Sequence, residues 1–317
     1  MSSKQQTVLV VGATGYLGGH LVKAFHSAGY TVHALARSPE KLSELAPYIE
    51  RVHQGEATNP ESLNGICADI DIVISALGIT RQRDGLSYMD VDYQANRNIL
   101  DESIRAGVER FAYVHVLNAE QMPHIAMAAA KSKFARELDA APIQSTIICP
   151  SGFYSDLAEI LKMAQKGKVY LFGNGEARIS PIDGADLAKV CVASVQNGET
   201  WVKAGGPQSL SQNEIAALAF ETLGMRPRIS HVPLWLARFL VSGAKILGFG
   251  SSVGALDFFL ATSSFDMTAP PHGEITLAQD YAKRADQTSG VNGVPETRLG
   301  VGPTSAKRTQ LSTFTHR

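Results

Sequence analysis

The chain has 317 residues, 44% of them hydrophobic, and a formal net charge of −1. That length supports a large core in one elaborated domain or two small ones, and the near-neutral balance carries no footprint for nucleic acid. Cys67, Cys149 and Cys191 are scattered, show no metal-ligand spacing and read as buried thiols, so the expectation is a cytoplasmic protein in a reducing compartment with no bound metal.

The first predicted strand, Thr7-Val-Leu-Val-Val11, is a continuous apolar run of the kind buried on both faces of a parallel sheet. It begins so early that no signal peptide is expected. Gly12, Gly15 and Gly18 follow at GxxGxxG spacing. Leu17, Leu21, Val22 and Phe25 then recur at helical spacing up to a stop at Gly29. Such a turn brings backbone N–H groups to a pyrophosphate and lays the anion on a helix N-terminus; without a ligand it is ordinary strand-to-helix punctuation. A second strand, Thr31 to Ala36, ends in Ala34-Leu35-Ala36-Arg37-Ser38. No carboxylate stands there to accept a ribose 2′-hydroxyl, while Arg37 and Ser38 suit a 2′-phosphate. The expected cofactor is therefore NADP(H) in preference to NAD(H), the alternative being Arg37 as a plain surface cation.

Pro39 to Pro47 reads as a short helix, Glu50 to Gln54 as a strand, Pro60 to Ile66 as a short helix and Ile70 to Ser75 as a strand. A long helix from Ser87 to Ala106, ended by Gly107, precedes a strand from Phe111 to Val116. A helix from Pro123 to Ala140 and a strand from Ser145 to Cys149 complete the series. The alternation predicts an α/β fold, a Rossmann-type doubly wound parallel sheet over residues 1–150. Gly55-Glu56-Ala57-Thr58 and Ser75-Ala76-Leu77-Gly78 fall at carboxyl ends of strands, where ligands bind in open α/β sheets, although turn chemistry alone also accounts for them.

Residues 151–282 read as a smaller C-terminal substrate-side lobe. Its elements are a helix from Tyr154 to Lys166, a strand from Lys168 to Phe172, a helix from Asp183 to Val195 and a strand from Trp201 to Ala204. A helix from Ser211 to Leu223 opens with a Ser211/Glu214 capping box. Val232 to Phe265 is apolar but interrupted by Arg238, Lys245 and Asp257, which predicts a pair of packed helices and no transmembrane segment; interfacial membrane contact is the alternative. Trp235 to Phe259 is expected to roof the substrate pocket. From Lys283 the chain reads as a polar, basic tail, net +4 over 283–317, unable to order itself alone: either solvated or a clasp for an acidic protein partner.

These segments carry a likeness. VVGATGYLGGHLV, ALARSPEKL, VDYQANRNILDESIRAGVERFAYVHVLNAE, AKSKFARELDAA, STIICPSGFYSDL, GNGEARISPIDGADLA and GGPQSLSQNEIAALAFETLG resemble the atypical short-chain dehydrogenase/reductase superfamily. The nearest branch is the NAD(P)H-binding, NmrA-like and isoflavone-reductase-like one, and the likeness covers Thr7 to Gly224, more loosely to residue 270. It implies that Gly12, Thr14, Gly15, Tyr16, Leu17 and Gly18 cradle the pyrophosphate and that Arg37 meets the 2′-phosphate. Glu56 and Ala57 would lie at the adenine, where family members more often carry Asp in place of Glu56. Ala76, Leu77 and Gly78 would approach the ribose, and Pro150, Ser151, Gly152 and Phe153 would flank the nicotinamide.

The departure concerns catalysis. Typical members of the superfamily use a Tyr-x-x-x-Lys pair, whereas isoflavone-reductase-like relatives lack the tyrosine and use the lysine itself; here Met127 stands four residues before Lys131, and a thioether transfers no proton. The usual serine near the end of the fifth strand is also missing from Val114-His115-Val116-Leu117. Three candidates stand open. Lys131 would act as acid or base if burial and nearby cations lowered its pKa, or would bind ribose without proton transfer. His115 is a second candidate or a core histidine, and Tyr154 a third or a lining residue. The leading expectation is an NADPH-dependent reductase moving hydride to a carbonyl or activated double bond of a small, fairly apolar substrate. The rival is a non-catalytic NADP(H) redox sensor or assembly factor of the NmrA-like type.

Overall fold

The computed structural model describes residues 5–79, 85–246 and 250–292. Its centre is a parallel sheet. The strands are β1 (Thr7–Val11), β2 (Thr31–Ala36), β3 (Arg51–Gln54), β4 (Ile72–Ser75), β5 (Arg110–Val114) and β6 (Gln144–Pro150), joined through α1 (Tyr16–Ser27), α2 (Asn96–Ala106) and α3 (Ala126–Asp139). Alternation along each strand divides the interior in two. Leu9, Val73, Phe111, Tyr113 and Ile147 face one core, under α2 and α3. Val8, Val10, Ala34, Ile74 and Ala112 face the other, under α1. Burial on both faces is why β1 reads as an unbroken apolar run.

The chain then passes through α4 (Tyr154–Gln165), β7 (Val169–Phe172), β8 (Arg178–Ile179), α5 (Gly184–Asn197) and β9 (Trp201–Ala204). The sheet order is β3-β2-β1-β4-β5-β6-β9. The expected lobe of 151–282 is thus not one contiguous body: α5 packs on α1, and β9 pairs parallel with β6 through Ile148–Val202 and Pro150–Ala204. Buried Val202 and Ala204 cover what would otherwise be an open sheet edge. The lobe proper is α4 and β7 with β10 (Leu210–Ser211), α6 (Gln212–Thr222), β11 (Ile229–Val232), α7 (Leu234–Ile246), α8 (Gly250–Thr262) and α9 (Leu277–Asn292). Ser211 opens α6 with both hydrogen bonds of the predicted capping box.

Three further expectations are corrected. The helices expected at 39–47 and 60–66 are tighter 3₁₀ turns, Pro39–Tyr48 and Pro60–Leu63. The long helix expected from Ser87 begins as a π-helical stretch, Met89–Ala95, before α2. Asn96 sits at the junction, where its side-chain amide donates to the carbonyls of Val91 (3.2 Å) and Asp92 (3.1 Å) in the widened stretch. The tail expected from Lys283 starts inside α9, because Leu277 and Tyr281 anchor that helix in the lobe core and Arg284 pairs with Asp280. The remainder of the tail, 293–317, lies outside the described residues. Among the described residues, no helix is long and apolar enough to cross a membrane.

Candidate dinucleotide and reaction site

Strand order reverses beside β1, so the loops after β1 and β4 diverge and open a cleft at the carboxyl edge of the sheet. The cleft measures about 530 Å³ and is lined by Gly12, Thr14, Gly15, Arg37, Glu56, Ala57, Ala76, Leu77 and Gly78 from the expected set. Gly12 sits at φ +83°, and a β-carbon there would lie 3.2 Å from the Ala76 carbonyl. A β-carbon on Gly18 would collide with the Gly12 carbonyl oxygen. The glycines therefore let α1 dock against its own loop and let backbone reach a ligand. Gly15 caps α1 without a side-chain hydrogen bond, and the first turn holds no acid, leaving that positive helix end available to an anion. Shape and donor set fit a dinucleotide pyrophosphate.

Two neighbours do something else. Tyr16 turns away from the cleft: its hydroxyl accepts the Gly184 N–H at 3.0 Å, and its ring meets Phe153 edge-on. It braces α5 against α1, and burial pushes its pKa up to about 12. The Leu17 side chain belongs to the core under α1, so only its backbone is free for a phosphate. At the far end Arg37 Nη1 lies 3.7 Å from Glu56 Oε1, with both side chains exposed. Ser38 lies outside the cleft lining and caps the following 3₁₀ turn without a side-chain bond.

At the other end Gly78 lies over a buried ion pair. Lys131 Nζ is 3.3 Å from Asp92 Oδ1, and it donates to the Tyr113 hydroxyl (3.4 Å) and the Val114 carbonyl (3.3 Å). A β-carbon on Gly78 would stand 2.7 Å from Asp92 Oδ1 and 3.2 Å from Lys131 Nζ. Asp92 is fully buried, and its second oxygen accepts the Ile79 N–H. Burial drives the Asp92 carboxyl above its ordinary range, with Lys131 opposing the rise. For Lys131, burial favours the neutral amine, but Tyr113 and Asp92 outweigh it and hold the ammonium above the usual lysine range. The condition for an acid or base role, a fall toward neutrality, is not met because the near neighbour is an anion rather than a cation, which leaves the ribose-binding alternative.

The other two candidate acids are placed elsewhere. Tyr154 is buried in the lobe core, its hydroxyl committed to the Ile275 carbonyl at 2.7 Å and its pKa raised by burial. His115 is buried between Tyr113 and Trp201, and burial, with Lys131 and Arg136, pushes its pKa down to about 3, so it carries no donatable imidazolium at neutral pH. Pro150 ends β6, and Gly152 and Phe153 follow it, all outside the cleft lining; the Gly152 carbonyl accepts the N–H of Ile182, a residue of the core under α1. Trp235 and Phe239, expected in a roof, are 71% and 72% exposed. It is α8 that approaches the site, with Gly254 against the Tyr88 ring.

Asp92, Tyr113 and Asn96 are the residues that sequence reasoning missed. Tyr113 alternates with Phe111 and so reads as core, and Asp92 reads as the polar side of a helix. The one available signal was Asp92 and Asn96 standing a turn apart beside an apolar stripe.

A family model described as NAD(P)H-binding matches residues 12–198. The chloroplastic divinyl chlorophyllide a 8-vinyl-reductase of Arabidopsis thaliana is 28% identical over 304 residues, covering 86% of this chain and 72% of that protein. The photosystem II assembly factor Ycf39 of Synechocystis is 28% identical over 239 residues, covering 74% and 73%. The NADPH-dependent quinone oxidoreductase QOR2 of Escherichia coli, solved with NADPH, superposes with a TM-score of 0.71 at 18% identity, covering 88% of this chain and 100% of that one, a likeness of fold. The chain thus belongs to the NAD(P)H-binding family.

Proposed function

We propose that this chain is an NADPH-dependent reductase that delivers hydride to a carbonyl or an activated double bond of a small, fairly apolar substrate. The observation that carries the reading is the Lys131–Asp92–Tyr113 cluster buried beneath Gly78. Burying an ion pair is costly, and a fold needing only a packed sheet would fill that space with apolar groups. A charged lysine kept directly under the cleft floor suits a ligand hydroxyl.

In this reading the backbone from Gly12 to Gly18 holds the pyrophosphate, with Thr14 beside it. Arg37 pairs with the 2′-phosphate, exchanging Glu56 for the ligand. Glu56 and Ala57 flank the adenine, and Ala76 and Leu77 the ribose. Lys131 binds the nicotinamide ribose through its ammonium; with its pKa raised, its work is orientation. NADPH would supply the hydride, and the protein the geometry. The divinyl chlorophyllide reductase match supports a reductase, since it extends over 86% of the chain and so beyond the nucleotide half.

The match to Ycf39 at the same identity favours a second reading, a dinucleotide-gated assembly factor. Oxidation of NADPH, followed by absorbance against a panel of quinones, enones and aldehydes, separates the two. Turnover that disappears in Lys131→Ala supports the reductase. Tight NADPH binding with no turnover on any acceptor, together with a protein partner retained only in one redox state of the cofactor, would replace it with the second reading.

A further inference from the structure

Helix α7 has two sides. Its inner side is accounted for: Ala237 and Val241 are buried against Leu260 of α8, with Phe172, Val232 and Leu234 beside them. On the outer side, at 100° per residue, Trp235, Phe239 and Ile246 fall within one narrow stripe. All three are exposed, Ile246 at 86%. Ser242, which lies on the same line between Phe239 and Ile246, is exposed too and too small to interrupt it. Leu240 adds a further apolar side chain, 62% exposed. A stripe of this kind marks an interaction surface, since isolated apolar side chains scatter but do not align.

The surrounding charge says what the surface meets. From Thr222 to Leu256 the sequence holds no Asp or Glu, yet it holds Arg226, Arg228, Arg238 and Lys245. This purely cationic stretch sits in a chain whose net charge is −1. Arg238 is fixed beside the stripe by a 2.7 Å bond to Ser264 Oγ. A second copy of the chain packed α7 on α7 would bring these cations against their own duplicates, with no carboxylate in the segment to pair with them. At 13 residues the helix is about 20 Å long, too short to span a bilayer but suited to lying in its surface. Apolar residues on one side with basic residues flanking them are what an interfacial helix needs.

We infer that α7 docks this protein on a membrane surface carrying anionic lipid, its Trp235–Phe239–Ile246 stripe entering the headgroup boundary while Arg238 on the helix and the exposed Arg226 and Arg228 that precede it in the chain meet lipid phosphates. The contact lies apart from the nucleotide cleft and holds whether or not the bound cofactor reacts.

The test is co-sedimentation of the full chain with vesicles of phosphatidylcholine alone and of phosphatidylcholine with phosphatidylglycerol in equal parts. Binding is expected to the second, weakening as salt is raised. Trp235→Ser and Phe239→Ser should each lower the partition coefficient about tenfold. Arg226→Gln and Arg228→Gln should each lower it about fivefold and flatten the salt dependence. NADPH affinity, unchanged in all four variants, verifies folding. The inference is overturned by no binding to the anionic vesicles, by equal binding to both compositions, or by variants that bind like the parent. A concentration-dependent dimer dissolved by the same serine substitutions, without vesicle binding, would assign the face to a second copy instead.

Discussion

Replacing Lys131 by Met tests the buried ion pair directly. The methionine keeps the length and apolar stem of the side chain but removes the ammonium. Asp92 is left fully buried with the Ile79 N–H as its remaining donor among the described residues. Removing one partner of a buried pair typically costs about 3–5 kcal/mol, because the other charge stays desolvated. The variant can escape by protonating Asp92, and this gives the effect a sign in pH. Burial already holds the Asp92 carboxyl above its unfolded value. Without Lys131 it rises further, so the folded state binds the proton more tightly than the unfolded state does. The stability deficit of Lys131→Met should therefore be small at low pH, grow as pH rises from the parent Asp92 pKa toward the new one, and level off above it. Adding Asp92→Asn should recover most of it at neutral pH while leaving NADPH binding weakened. Urea unfolding of the parent, the two single variants and the double variant, each at pH 5 and pH 8, measures all of this. A deficit equal at both pH values, or one that Asp92→Asn does not relieve, refutes the coupled buried pair.

Arg37→Asp should weaken NADPH binding tenfold or more, about 1.4 kcal/mol per decade, with NADH little changed; equal losses for the two cofactors in a titration would remove Arg37 from the 2′-phosphate site. Because Glu56 holds Arg37 at 3.7 Å, Glu56→Gln should instead tighten NADPH measurably, and unchanged affinity would show that the pair does not compete with the ligand. Gly18→Ala drives a methyl into the Gly12 carbonyl and should lower stability by about 1–3 kcal/mol while abolishing cofactor binding; intact calorimetric binding would contradict it. His115, depressed from 6.5 to about 3, contributes stability that is fully present above pH 6.5 and is lost as pH falls toward 3, about 2 kcal/mol by pH 5. His115→Phe should flatten that part of the pH–stability curve, and a variant with the parent's acid sensitivity would place the loss elsewhere.

How far the fold was legible depends on the range of the interactions behind each feature. β1, the glycine turn and α1 are readable because their determinants are local. Val8 to Val11 must be apolar for a strand covered on both faces, and Gly18 must lack a side chain because the chain folds back on Gly12 only six residues away. The capping box at Ser211 is local in the same way. By contrast, Trp201 to Ala204 reads as a strand in sequence, but nothing in four residues says that its partner is β6 rather than a strand of the lobe. The π-helical entry to α2 was hidden because apolar periodicity does not register how an asparagine side chain bonds the backbone of the turn before it. Tyr154 looked like a free hydroxyl because its acceptor, Ile275, lies far down the chain.

The same division runs through the site, and Gly78 is its joint. The nucleotide half is made by backbone at strand ends, so glycines and one arginine announce it. The half beneath Gly78 is made by an aspartate before α2, a tyrosine on β5 and a lysine on α3, each unremarked in its own element. Met127, one turn before Lys131, signals that the usual tyrosine is gone, and it says nothing of what Lys131 touches instead. The structure supplies a phenol from another direction: Tyr113 reaches Lys131 from the sheet, fully buried, with burial pushing its pKa up to about 12. A phenol so placed has no exposed path to a substrate and cannot replace the missing acid; it can only help Asp92 keep the ammonium charged. Gly78 looks like turn chemistry in the sequence. In the fold a methyl there would clash with the Asp92 carboxylate and crowd the Lys131 ammonium, so Gly78→Ala should perturb cofactor affinity and the Asp92–Lys131 pair at once. An alanine variant with parental NADPH affinity and parental stability at pH 5 and pH 8 would show that the cleft floor and the ion pair are independent.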